Sequence, residues 1–374
     1  MNYCEEEKNI KDILAVKQTF DKNAFLSHHG RTIIYGAGET GKRVRVLLER
    51  YGIKIDCFLD EKGGKNIFVD NIPVFKPGAG IADKTAIVIV AIFNHTTDII
   101  PVIALLKEMG FTRIIPYTEF FIHFADDLPV HYWLGPVDIY KSHISEITTV
   151  FSMLDDRHSK ELYLSLLRFR ITGNPAYMPQ PQIGNIYFPL DVPGRSKPCH
   201  FIDCGAFSGD TLVSARERFG ILGSVRAFEP DQKNFRQLVQ LNNDIRFSED
   251  TVIIPCGVWS STVQLRFASE NCSAASSVSD KGDSIIQCVT LDDCLGGYKP
   301  TLIKMDVEGS ELEALEGSRN MIVSSRPQLA VSVYHTPDHL WKIPMFIKEI
   351  VPDYKCFLRL HGANGYDTVF YAHI

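Results

Sequence analysis

The residues best suited to chemistry gather in the second half of the chain. Phe201-Ile-Asp203-Cys-Gly205-Ala206-Phe207-Ser-Gly209-Asp210-Thr211 reads as a strand that ends in an acid and turns through two glycines into a helix. In an open α/β sheet such a turn lies at the carboxyl ends of the strands, where ligands bind beside the point at which strand order reverses. Gly205 admits close backbone approach, and Asp203 is placed either to orient the loop or to meet an ammonium group. The loop lacks the G-x-G-x-x-G spacing that presses backbone amides onto a pyrophosphate, so a ligand without phosphate suits it better. A structural strand-to-helix turn is the alternative. Glu229 ends the next strand in Arg226-Ala-Phe-Glu229-Pro230-Asp231, where a carboxylate can accept hydrogen bonds from both hydroxyls of a ribose. The competing reading makes it a helix N-terminal acid, with Pro230 at the first helical position and Asp231 favoured by the dipole. Gly257 and Val258, in Cys256-Gly-Val-Trp259, end a third strand where an adenine would lie, although a plain strand end with a buried Trp fits equally well.

These residues need a parallel sheet to hold them. Strand-like runs at 201–203, 225–229, 252–256, 302–306 and 328–334 alternate with helical segments, the signature of parallel strands with crossover helices. The last two runs, 355–360 and 368–373, are joined by a link too short for a helix and should form an antiparallel hairpin. An earlier alternation spans 31–121, with strands at 32–35, 55–59, 86–91 and 113–116. It opens on Ile33-Ile-Tyr-Gly36-Ala-Gly38-Glu-Thr-Gly41, a strand running through G-x-G-x-x-G into a helix, and Asp60 ends the following strand. Those glycines suit a phosphate at a helix N-terminus, and Asp60 suits a ribose. Between the two alternations, apolar residues at three- and four-residue steps (Ile144, Ile147, Val150, Phe151, Leu154) predict helices, and six prolines from Pro175 to Pro198 end them. The expected organisation is an α/β chain with two Rossmann-like doubly wound domains: 1–125 of nucleotide-binding type, 126–196 a helical connector, and 197–374 a second sheet domain.

The second domain resembles the FkbM family of S-adenosylmethionine (SAM)-dependent methyltransferases. The matching stretches are Phe201 to Thr211, Ala227-Phe-Glu-Pro-Asp, Val289-Thr-Leu-Asp-Asp, Ile303-Lys-Met-Asp-Val-Glu-Gly-Ser-Glu, Ser332-Val-Tyr-His-Thr-Pro-Asp-His-Leu-Trp and Asp367-Thr-Val-Phe-Tyr-Ala, in family order. The resemblance implies a seven-stranded class I sheet and methyl transfer to a hydroxyl of a saccharide or related metabolite. It implies a SAM site formed by Asp203, Gly205, Ala206, Phe207, Gly209, Thr211, Glu229, Gly257 and Val258. The first domain resembles Rossmann-like modules attached to sugar-modifying transferases, which leaves a nucleotide, a nucleotide-sugar or no ligand at Gly36, Gly38, Gly41 and Asp60. An alcohol acceptor must lose its proton during attack, to a base or with help from a metal. Asp306, His335 and His361 sit at predicted strand ends. His335 is the expected base, since an imidazole titrates near working pH, with capping of the Pro337 turn as the alternative. Asp306 is expected to line the acceptor site, orienting the hydroxyl or His335, or to ligate a divalent cation. A metal is not indicated, because further oxygen ligands do not stand out. Glu308 and Glu311 read as structural, Glu311 stabilising a helix start.

Composition narrows the alternatives. A net charge of -6 disfavours a phosphate-tracking surface, and with it a nucleic-acid partner. The opening stretch lacks the basic start and apolar centre of a signal peptide, and no run approaches membrane-spanning length, so a cytoplasmic protein with no membrane partner is expected. Nine cysteines are scattered singly, without a C-x-x-C pair, and read as reduced thiols rather than a disulfide or zinc framework. The expected partner is a small-molecule or glycan acceptor, and a homo-oligomer is compatible with the sequence. Acceptor specificity is expected in the Ser-rich loop 268–282. Two readings compete with the methyltransferase: an NAD-dependent oxidoreductase centred on Gly36 to Gly41, and a non-catalytic scaffold that keeps SAM affinity.

Overall fold

The computed structural model describes residues 3–16, 20–28, 30–78, 83–194, 199–268, 277–278 and 284–374. The expected boundary near Lys197 and most of the 268–282 loop lie outside them. The chain divides into two compact units, and neither is continuous in sequence. The first holds Met1–Ile144, Glu161–Pro181 and Gly362–Tyr366, and the second holds Ser145–Lys160, Gln182–His361 and Asp367–Ile374. The residues expected as a helical connector, 126–196, are divided between the two units.

The first unit is built on a six-stranded sheet of order β3-β4-β2-β1-β5-β6, with β1 Thr32–Tyr35, β2 Cys57–Leu59, β3 Phe68–Val69, β4 Ile72–Phe75, β5 Ile87–Val90 and β6 Arg113–Pro116. All neighbours are parallel except β3 and β4. β1 and β5 are buried at every position, which is why Thr-Ile-Ile-Tyr and Ile-Val-Ile-Val are continuous apolar runs rather than alternating ones. The β3-β4 hairpin turns at Asp70 and Asn71, both left-handed at φ 48° and 67°, a conformation that Asp and Asn tolerate best among residues with a Cβ.

The second unit contains a seven-stranded sheet of order β16-β17-β15-β14-β7-β8-β9. Its strands are β7 His200–Cys204, β8 Leu222–Phe228, β9 Ser248–Ile254, β14 Leu302–Met305, β15 Gln328–Ser332, β16 Lys355–Leu360 and β17 Thr368–His373. β17 inserts antiparallel between β15 and β16, so the expected terminal hairpin forms, with Lys355 opposite His373. Phe201, Leu212, Val225, Leu302, Ala330 and Tyr371 belong to the core that fixes the sheet. Strand order reverses between β7 and β14, and this reversal defines where a ligand crevice opens. A second sheet, of order β10-β13-β11-β12, was not expected from sequence. It comprises β10 Gly257–Val258, β11 Val263–Ala268, β12 Ser277–Val278 and β13 Ser284–Val289. The alternation Val263-Gln-Leu265-Arg-Phe267 carries its period-two signal.

Candidate active site

The glycine loop after β7 is held by packing that only glycine allows. Gly205 has φ 78°, and a Cβ there would lie 1.9 Å from the carbonyl oxygen of Asp306. The loop is thereby pressed against the chain leaving β14. Gly209, at φ 100°, starts the helix Asp210–Phe219. Asp203 and Lys304 are cross-strand neighbours in the β7-β14 register, and both are buried. Lys304 Nζ lies 2.9 Å from Asp203 Oδ1 and donates to the carbonyl oxygen of Gly205 at 2.5 Å. Burial pushes the Asp203 carboxyl up to about 6 despite the ammonium beside it. Asp203 thus pairs with the Lys304 ammonium, and it is Lys304 that holds the loop carbonyl of Gly205.

Glu229 stands at the end of β8 and is almost fully buried. Its Oε2 accepts from Phe207 N and its Oε1 from Asp231 N, both at 2.8 Å. Burial raises its carboxyl to about 7, against the pull of these two donors. Phe207 takes a left-handed φ of 47°, which aims its N–H at Glu229. Ala206 and Thr211 are buried in the same turn. The helix Gln232–Asp244 is capped by Asp231, whose Oδ1 accepts from Lys233 N and Asn234 N. That frees Glu229 from the capping role the alternative reading gave it. Gly257 and Val258 pair with β13 instead of extending β9, and a Cβ on Gly257 would meet Cys288 Sγ at 2.9 Å.

Next to this loop lies a buried cluster of carboxylates and imidazoles. Glu311, at the start of the helix Glu311–Glu316, is wholly buried. Its Oε1 lies 2.8 Å from His335 Nδ1, and its Oε2 lies 3.1 Å from His339 Nδ1. Oε1 also accepts from Val307 N at 2.9 Å, tying down the loop after β14. On its other edge His335 Nε2 faces Asp306 Oδ1 at 3.4 Å and Glu308 Oε2 at 3.5 Å. Burial alone would lower the imidazole, but Glu311 first, then Glu308 and Asp306, raise it to about 10. The same imidazolium holds Glu311 well below the usual carboxylate range, overcoming its burial. Asp306 Oδ2 accepts the hydroxyl of Tyr187 at 2.8 Å. The sequence expectation of a neutral His335 acting as base therefore meets a site that favours its charged form. His361 is not part of the cluster. Its Nε2 lies 2.8 Å from Tyr371 OH, and burial lowers it to about 4.

Asp306, Glu311 and His335 offer donor atoms within 4.8 Å of one another, the span of a metal-binding group. The 2.8 Å contact between Glu311 and His335 Nδ1 is, however, that of an ion pair in direct contact. Sequence reasoning missed Glu311, His339 and Tyr187 as site residues. Glu311 was readable only as a helix-start acid, since its partners lie one crossover away, and nothing local in Ile186-Tyr187-Phe188 marks a site.

In the first unit, Gly36 has φ 105°, and a Cβ on Gly41 would meet the carbonyl oxygen of Gly36 at 2.0 Å, so both glycines are needed for the strand-to-helix turn. Gly38 precedes the helix Glu39–Arg50 and has open space around it. Asp60 Oδ2 accepts from Ala37 N and Oδ1 from Lys62 N, both at 2.9 Å, so its carboxylate braces the glycine loop.

The order of the seven-stranded sheet and its terminal antiparallel hairpin define the fold of SAM-dependent methyltransferases. Residues 203–361 match the methyltransferase FkbM domain, which places the loop, Glu229 and the carboxylate–imidazole cluster inside that domain. A methyltransferase FkbM from Methylobacillus flagellatus has a similar structure over 99% of this chain and 99% of its own, with a TM-score of 0.81 at 22% identity, a likeness of fold. Precorrin-6y C5,15-methyltransferase from Geobacter metallireducens aligns over 48% of this chain and 82% of its own, with a TM-score of 0.32 at 14% identity. Aeropyrum pernix fibrillarin, in complex with natively bound S-adenosyl-L-methionine, aligns over 47% and 67%, with a TM-score of 0.29 at 11% identity. No curated protein matches the chain. Among the described residues, no helix is long and apolar enough to cross a membrane.

Proposed function

We propose that this protein is a SAM-dependent O-methyltransferase acting on a hydroxyl of a saccharide or related metabolite. The observation that carries the reading is the junction of the glycine loop with the carboxylate–imidazole cluster, where Gly205 packs on the backbone of Asp306. It supports a nucleoside site beside groups able to manage a proton.

The residues fit the cofactor. Each Glu229 oxygen accepts one backbone N–H and retains a lone pair for a ribose hydroxyl. Gly205, Ala206, Phe207 and Gly209 form the turn after β7, with a Cβ excluded at Gly205, and Gly257 and Val258 form β10, where Gly257 packs beside Pro230, the residue after Glu229. When bound, SAM supplies an electrophilic methyl group on a sulfonium. The protein then has to align the acceptor oxygen and exclude water. Asp306 is the residue we assign to orienting the acceptor hydroxyl, with His335 fixing the charge around it. In unit 1 each oxygen of Asp60 likewise accepts one backbone N–H and retains a lone pair, so a nucleotide or nucleotide-sugar at Gly36, Gly38 and Gly41 is a second binding reading, tested by the same titration.

Calorimetric titration with SAM, S-adenosylhomocysteine and NAD tests this reading. SAM and its product should bind near one equivalent. Glu229→Ala should weaken both by about 100-fold or more, the loss of two hydrogen bonds to a charged group. Binding of NAD alone would favour the oxidoreductase reading instead, and methyl transfer to any acceptor would exclude the scaffold.

A further inference from the structure

Lys304 stands where a strand core is ordinarily apolar. β14 is buried at every position from Leu302 to Met305, and the parallel register sets Lys304 beside Asp203 of β7. The two side chains are 2% and 0% exposed. A buried ion pair is weak evidence for stability, because well-packed apolar residues of similar volume usually serve a core as well or better. The other contacts of this ammonium give it a second purpose. We infer that Lys304 is a positioning residue for methyl transfer, a single charge that ties the cofactor loop to the acceptor-orienting Asp306. This inference rests on the methyltransferase reading above.

An ammonium carries three donors and no acceptor. Lys304 Nζ lies 2.9 Å from Asp203 Oδ1, donates to Gly205 O at 2.5 Å, and sits over the Tyr187 ring, 5.1 Å from its centroid. The Gly205 contact fixes the turn after β7, in which Phe207 N donates to Glu229. The Tyr187 contact works on the acceptor side. A cation attracted to the face of that ring holds the phenol in place, and its hydroxyl donates to Asp306 Oδ2 at 2.8 Å. Gly205 also packs on the carbonyl oxygen of Asp306, so Lys304, Gly205, Asp306 and Tyr187 form a closed circuit of contacts. An in-line displacement is sensitive to placement, and an error of about 1 Å in either reactant can cost about 100-fold in rate. An anchor shared by the cofactor loop and Asp306 limits that error. If Lys304 only neutralised Asp203, its removal would be felt in stability and nowhere else.

Lys304→Met alone leaves Asp203 buried and unpaired and can unfold the unit, so the test compares Asp203→Asn with Asp203→Asn/Lys304→Met in the full chain. In the asparagine background the ammonium has lost its carboxylate, and removing it should leave Tm unchanged or raise it. Calorimetric affinity for SAM and S-adenosylhomocysteine should nonetheless fall by a further factor of about 10 or more. In protein carrying carbon-13 tyrosine, the Cζ resonance of Tyr187, assigned by its loss in Tyr187→Phe, should move between the same two variants. Tyr187→Leu leaves the ion pair intact and supplies a second arm. It should weaken SAM by about 3-fold or more in the native background, and have no further effect where Lys304 is already replaced. Equal SAM affinity in the two asparagine variants overturns the inference. So does a Tyr187 resonance that stays in place, a loss of affinity that merely follows a fall in Tm, or a Tyr187→Leu effect that is absent or additive. Failure of the unaltered protein to bind SAM would instead overturn the functional reading itself, and this inference with it.

Discussion

Replacing Glu311 by Gln should separate the electrostatic role of this buried carboxylate from its shape. The substitution keeps a carbonyl oxygen able to accept from Val307 N, but removes the charge 2.8 Å from His335 Nδ1 and 3.1 Å from His339 Nδ1. Breaking a buried ion pair by neutralising one partner typically costs about 3–5 kcal/mol. His335 is raised from its ordinary 6.5 to about 10 with Glu311 as the largest contributor, ahead of Glu308 and Asp306, so the pair acts in the stabilising direction. For a unit of this size the expected fall in Tm is of the order of 10 °C. The pH dependence has a definite sign. A histidine raised by folding contributes stability that is fully present below its ordinary value of 6.5 and is lost as pH rises through about 10. Thermal unfolding of both proteins across that window should show the widest gap at the acid end, closing toward the alkaline end. Equal Tm values at the acid end, or a gap that ignores pH, would refute the idea that Glu311 holds an imidazolium.

Two further substitutions probe the supports of the site. Gly205→Ala forces a Cβ to within 1.9 Å of a backbone oxygen at φ 78°, so binding of SAM measured by calorimetry should be lost or the unit should unfold. Tyr187→Phe removes the hydrogen bond to Asp306 at a cost of about 1 kcal/mol in denaturant unfolding, and should lower kcat more than it changes SAM affinity if Asp306 orients the acceptor.

The legible parts of this protein were those written locally. The β7 loop, the acid ending β8, and the terminal hairpin are runs of adjacent residues whose types suffice to indicate strand, turn and helix, and each appears as expected. Asp203 shows where local reading ends. Its partner Lys304 is fixed by strand register across 101 residues, a relation that no spacing along the chain expresses. Glu311 carries the same lesson in a different form. An acid at a helix start has a sufficient local explanation, so nothing in its neighbourhood pointed to the two histidines folded over it. Tyr187 sits in a proline-punctuated stretch that reads as connector, yet its hydroxyl reaches Asp306, 119 residues on.

The discontinuity of the second unit bears on how the chain is made. Arg359, buried in β16, binds Asp156 at 2.6 Å across 203 residues of sequence, together with Ser159 and Asp191. Residues 145–160 leave the ribosome long before that guanidinium exists. Contacts of such separation close slowly, because loop entropy must be met before they reward it. During synthesis this early segment must wait with its partner surface uncovered, a natural client for a holding chaperone. For the same reason the catalytic unit is no cassette. A fragment begun at residue 197 would leave Arg359 buried with three of its partners missing from the chain.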